Sequence, residues 1–141
     1  MSLVDYSDIK DEIANAPEPK ILRAGVEVKA RIISVRTGTS DKNDCSYFSP
    51  VFDVPTEPMV KEFSGFFWEL TAENKGKLTV KQYERAKYEF GLFAKSFKVD
   101  YTRPLSWEDD LPGLEGYIIV GTTTSNEFGE QNNVKKYVAG K

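Results

Sequence analysis

A chain of 141 residues, 40% hydrophobic and 13% aromatic, with mixed charges and a net charge of −3, has apolar volume for one soluble domain around one core. It contains no histidine, which excludes a Ser-His-Asp triad, a Cys-His pair, a histidine general base and histidine-bound zinc. Its one cysteine, Cys45, has no partner for an internal disulfide, no apolar run approaches the ~20 residues that span a bilayer, and the N-terminus lacks the parts of a signal peptide. The expected location is therefore cytoplasmic, in the host cell if the source is viral, with no membrane contact.

Residues 1–18 form an acidic N-terminal arm, in which Asp5, Asp8, Asp11, Glu12 and Glu18 face Lys10 alone; the remaining chain, 19–141, is close to neutral. Tyr6, Ile9 and Ile13 recur at helical spacing behind Asp5 or Ser7 as N-cap, so a short amphipathic helix ending before Pro17 and Pro19 is expected. Its acids read as solvated charge or as a competitor for a basic groove; in the second case, deleting residues 1–18 tightens DNA binding at low salt.

From Val26 the pattern is that of a strand, with Val26, Val28, Ala30 and Ile32 alternating against Glu27, Lys29 and Arg31. The phase slips at Ile32-Ile33, which predicts a β-bulge in a long curled strand. Lys29 and Arg31 face outward, either as ordinary solvated charge or as phosphate contacts. Gly38 to Asp44, containing Lys42, reads as a loop. In the second strand, Phe48, Pro50, Phe52 and Val54 form the core phase and Tyr47 the opposite face, with Pro50 implying an edge or an interruption.

The third strand, Met59 to Leu70, carries aromatics on both faces of a glycine. Phe66, Trp68 and Leu70 are expected inside, and Lys61, Phe63 and Phe67 outside, since bases stack on rings while phosphates need cations. Burial on both sides is the alternative, and a slip of one residue exchanges the faces and makes Trp68 the platform.

Thr79 with Gln82 matches a capping box, and Tyr83, Ala86, Phe90, Phe93 and Phe97 form a core-facing stripe, which predicts a helix from Thr79 to Phe97 with a bend or early stop at Gly91. Asp100 to Gly113 reads as irregular. GYIIVGTTT and the strand from Asn132 to Val138 form a hairpin with Phe128 at its tip and Lys135 and Tyr137 on one face.

Three strands, a helix and two strands make a mainly β fold: a five-stranded OB-fold Greek-key barrel with one helix between strands three and four and a short N-terminal helix or arm. Its ligand face uses strands two and three with the loops after strands one and four, where Lys42, Tyr47, Lys61, Phe63, Phe67 and Phe128 fall. The stretches GVEVKARIISVRTGTS, YFSPVFDVP, EFSGFFWEL and LEGYIIVGTTTSNEFGEQNNVKKYV resemble the bacteriophage-encoded OB-fold single-stranded DNA-binding proteins over residues 20–138. The resemblance implies a protein that coats single-stranded DNA in phage replication or recombination alongside other replication or recombination proteins. Such proteins often end in an acidic tail, whereas this chain ends in AGK and is acidic at its N-terminus.

The expected function is non-enzymatic and without cofactor or metal. Tyr47, Phe63, Phe67 and Phe128 stack bases; Lys29, Arg31, Lys61 and Lys135 bind phosphates, with Lys42 and Tyr137 on the same surface. A homo-oligomer is left open. Two alternatives remain: a structural or protein-interaction OB module of a phage particle or replication complex, and a carboxylate-dependent nuclease. The acids of Asp5 to Glu18 and Glu108 to Glu115 read as solvated surface rather than as a magnesium site.

Overall fold

A computed structural model describes residues 2–140. The first ordered elements are a 3-10 turn, Ser7–Ile9, and a helix α1, Lys10–Ala14, of which no residue is buried. The expected cap by Asp5 or Ser7 does not form, since Tyr6 and Ile9 occupy the N-cap positions without side-chain bonds; Asp5 instead accepts the Ser7 N–H at 2.8 Å just ahead of the turn, which lowers the Asp5 carboxyl below its usual value.

The body is a mainly β fold, a six-stranded antiparallel sheet in the order β3-β2-β1-β5-β6, with β4 also paired to β2. Strand β1, Glu27–Thr39, serves two neighbours. Glu27 to Arg31 pair with Ile119 to Glu115 of β5, Glu115–Ser125, while Arg31 to Thr39 pair with Asp53 to Ser46 of β2, Ser46–Asp53. The register shifts between Ile32 and Ser34, so Ile33 is the extra residue that the phase slip predicts, and the strand turns there from one partner to the other.

Along β2 the core phase is as expected: Phe48, Pro50 and Phe52 are buried, and Tyr47 and Ser49 stand on the other face. The third segment differs from expectation in two ways. It forms two short strands, β3, Phe63–Ser64, and β4, Phe67–Trp68, so the sheet has six strands and not five. Both pieces keep a single register against β2, with Phe52↔Phe63 and Val51↔Ser64 on one side of the gap and Phe48↔Phe67 and Tyr47↔Trp68 on the other. The cause of the gap is Pro50. The Gly65 N–H reaches the Pro50 carbonyl at 3.0 Å, but Pro50 has no N–H to return, and the Ser49 hydroxyl donates to the Gly65 carbonyl instead.

The second difference reverses the faces. Phe63 and Phe67 are 6% and 4% exposed and lie inside, whereas Phe66, expected inside, is 49% exposed. Leu70 is exposed and Trp68 half-buried. Directly opposed residues share a face, so pairing with the buried Phe52 and Phe48 draws Phe63 and Phe67 inward. Gly65 marks the same inner face: a Cβ there would collide with the Tyr137 hydroxyl oxygen, so the glycine answers to that close approach. Lys61 precedes the ladder and is exposed without sharing its phase.

Three helices, not one, separate this segment from β5. They are α2, Ala72–Lys77, capped by Thr71; α3, Val80–Phe97; and α4, a single turn, Trp107–Asp110. The capping box of Thr79 and Gln82 forms as expected, and α3 runs through Gly91 without a stop to end at Lys98. Its buried side chains Phe93, Ala94 and Phe97 join Phe48, Phe52, Phe63, Phe67, Ile32, Ile118 and Val120 in one aromatic-rich core.

Strand β6, Gly129–Val138, completes the hairpin with β5 and returns to lie against β3. Between Ile119 and Val120 its register shifts, because Lys135 is an extra residue: Ile119 pairs with Lys136, and Val120 with Val134. The expected alternation of Lys135 and Tyr137 on one face therefore breaks, and Tyr137 turns inward opposite the buried Ile118. Among the described residues no helix is long and apolar enough to cross a membrane.

Candidate nucleic-acid interface

Three exposed or half-exposed rings meet on the outer face of β2 and β4. Tyr47 and Trp68 are a directly opposed cross-strand pair, with ring centroids 6.5 Å apart at 81°. Phe66 projects from the Pro50 gap between them, 4.9 Å from Tyr47 and, edge to face, 4.8 Å from Trp68. Gly38, opposite Tyr47 on β1, seats this cluster, since a Cβ there would lie 2.7 Å from the Tyr47 hydroxyl oxygen. Rings in tilted and edge-on contact hold one another while leaving faces toward solvent.

Phe66 also borders an open cleft of about 750 Å³ between the third segment, the outer face of α3 and β6. Arg85, Tyr88 and Glu89 line it from the helix, and Lys135 and Lys136 from the strand. Arg85 and Tyr88 are three apart and so share a helix face, while the bulge at Lys135 exposes both adjacent lysines. Among the described residues no carboxylate pairs with Arg85, Lys135 or Lys136. The floor is Tyr137, whose ring packs 5.5 Å from Phe67 and 5.3 Å from Phe93. Burial, with a smaller effect of the Glu89 charge, pushes its hydroxyl pKa above that of an ordinary tyrosine.

The residues expected from the sequence thus divide. Tyr47 belongs to the ring cluster and Lys135 to the adjoining cleft. Phe63 and Phe67 are core residues, and Tyr137 is partly buried against them at the cleft floor, so none stands outward as expected, for the register reasons above. Arg31 is held by Asp53 in a two-pronged pair, Nε to Oδ1 at 3.2 Å and Nη2 to Oδ2 at 2.7 Å, and Asp53 raises its pKa. It lies opposite Asp53, six residues along β2 from Tyr47, or about 20 Å. Lys29 sits further along β1, 3.9 Å from Glu115 and over the Tyr117 ring. Lys42 is exposed in the loop between β1 and β2. Lys61 and Phe128 line a second cleft, of about 410 Å³, with Arg36 and Gln131. Ser64 borders both clefts, which makes them neighbours.

Sequence reasoning placed Phe66 and Trp68 inside, reaching Trp68 as the platform only through the slipped register that the structure adopts, and it missed Arg85, Tyr88 and Lys136. The signal for the first two was the pairing of Tyr47, placed outside, with a strand whose parity it dictates. For Arg85 and Tyr88 no local signal exists, because only packing brings the polar face of α3 beside β6. Among the described residues no group of three or more carboxylates or cysteines is placed to hold a metal ion. No protein-family model matches the chain, and no curated protein matches it at a significant level.

Proposed function

We propose that this protein binds single-stranded DNA without sequence specificity and without catalysis, stacking bases on Tyr47, Phe66 and Trp68 and holding the backbone with Arg85, Lys135 and Lys136. The observation that carries this reading is the contact of an outward aromatic cluster with a cleft whose cations lack carboxylate partners. Rings supply sequence-tolerant stacking and free cations supply phosphate binding, the two requirements of a single-strand groove. Lys61 and Phe128 extend the path across Ser64.

The fold reading that goes with it is an OB-type Greek-key barrel. Counting β3 and β4 as one strand broken at Pro50 leaves five strands, with β1 shared between β2 and β5, β6 returning beside β3, and α3 between the third strand and β5. A role in phage-type replication or recombination rests on the resemblance of the strand sequences alone.

A second reading, a protein-interaction module, is favoured by a different feature. An apolar cleft of about 390 Å³ framed by Trp68, Leu70, Phe90, Tyr101, Leu105 and Trp107 lies beside the ring cluster. One titration separates the two: labelled oligo-dT and duplex DNA, with and without magnesium, followed by anisotropy, tryptophan fluorescence and strand integrity. Tight, salt-sensitive binding of oligo-dT with quenched fluorescence and intact strands is expected. Absence of single-strand binding at low salt overturns the DNA reading and leaves the interaction module.

A further inference from the structure

Every described residue from 2 to 20 is exposed, so the arm leaves Leu3, Val4, Tyr6, Ile9 and Ile13 without a cover on the body it belongs to. Tyr6, Ile9 and Ile13 recur at helical spacing, and Asp5, Asp8, Asp11 and Glu12 are interspersed with them. The Arg85, Lys135 and Lys136 cleft is the counterpart in both respects: its cations have no carboxylate partner among the described residues, and its rim carries the exposed rings Phe66 and Tyr88.

The root of the arm is fixed. The Lys20 N–H donates to the Met59 carbonyl at 2.8 Å and the Lys61 N–H donates to the Lys20 carbonyl at 2.9 Å, which ties the arm's base to the entry of the third segment. Pro17 and Pro19 then set backbone angles and bias the residues before them toward extended conformations. An extended link between a pinned base and α1 holds the acidic, apolar segment exposed, with no cover from its own body.

We infer that the acidic arm of one copy docks in the Arg85, Lys135 and Lys136 cleft of a second copy, giving a salt-sensitive, head-to-tail self-association. The contact joins two different surfaces, so it need not close at two copies. Its charge component is screened as salt rises. If the cleft also holds single-stranded DNA, the part that rests on the proposed function, an oligonucleotide and the arm exclude one another.

The test is sedimentation velocity on the full chain at several protein concentrations, in about 50 mM and about 500 mM salt. Concentration-dependent association at low salt, lost at high salt, is expected. Two full-length variants, Asp5→Asn/Asp8→Asn/Asp11→Asn/Glu12→Gln and Arg85→Glu/Lys135→Glu/Lys136→Glu, should each be monomeric alone. Mixed, they should form a heterodimer and stop there, because one keeps only the cleft and the other only the arm. A monomer at every concentration, association unchanged in either variant, or failure of the mixture to pair overturns the inference. So does a monomeric wild type whose arm-neutralised variant binds oligo-dT more tightly, which marks docking within one chain. None of the sedimentation arms contains DNA, so they stand apart from the outcome of the oligo-dT titration.

Discussion

At the scale of single residues, neighbouring phenylalanines have opposite assignments. Phe66→Ala removes an outward ring and should weaken oligo-dT binding by about 1 to 3 kcal/mol with little change in melting temperature. Phe67→Ala opens a cavity beside Phe48, Phe93 and Tyr137 and should cost about 3 to 5 kcal/mol of stability, seen in denaturant titration. Equal effects on binding and folding from both would show that the faces are misassigned. Tyr137 gives a pH test. Its native hydroxyl holds its proton more tightly than an unfolded tyrosine at 10.0. Its contribution is therefore complete below about pH 10 and declines as pH rises further, by up to about 1.4 kcal/mol per pH unit. Urea titrations between pH 9 and 11 should show that decline in the wild type and a shallower one in Tyr137→Phe.

At the scale of elements, the Pro50 gap creates the site as well as interrupting the ladder. It leaves Phe66 between the two short strands, free to tilt onto Tyr47 and Trp68. The Ser49 hydroxyl keeps the Gly65 carbonyl satisfied across that gap, so Ser49→Ala should lower stability by about 1 kcal/mol and loosen the ring cluster, readable in thermal melts and Trp68 fluorescence. Helix α3 depends on its cap in the ordinary way. The Thr79 hydroxyl accepts the Gln82 N–H at 3.1 Å while the Thr79 N–H donates to Gln82 Oε1 at 3.0 Å, and Thr79→Ala should cost about 1 kcal/mol without affecting the cleft's chemistry.

At the scale of the whole molecule, a net charge of −3 coexists with a basic cleft because the arm, with five acids against Lys10, carries more than the whole net negative charge, and acids of the body such as Asp53 and Glu57 are held in ion pairs away from the cleft. Phosphate binding depends on the local field, and its signature is salt dependence. Replacing Arg85, Lys135 and Lys136 together by alanine should reduce the magnitude of the log-log salt slope for oligo-dT by about 2, at roughly 0.7 per lost contact, which anisotropy titrations at several salt concentrations will measure. An unchanged slope would move the backbone path to the Arg36, Lys61 and Phe128 side of Ser64.

Local patterns of the sequence determined the β1 bulge at Ile33, the core phase of β2, the capped helix ending at Phe97 and the terminal hairpin, because each follows from side-chain period or capping chemistry within a few residues. They also placed Tyr47 on the outer face. The Met59 to Leu70 run offered aromatics to both sides, so its own pattern could not choose a parity. Pairing with Phe48 and Phe52 made that choice, and a bulge at Lys135, in a run where Val134, Lys136 and Val138 read as one unbroken phase, sent Tyr137 inward. The cleft belongs to tertiary structure altogether: Arg85 and Lys135 are distant in sequence, and only the packing of α3 between the third segment and β6 sets their charges against one groove.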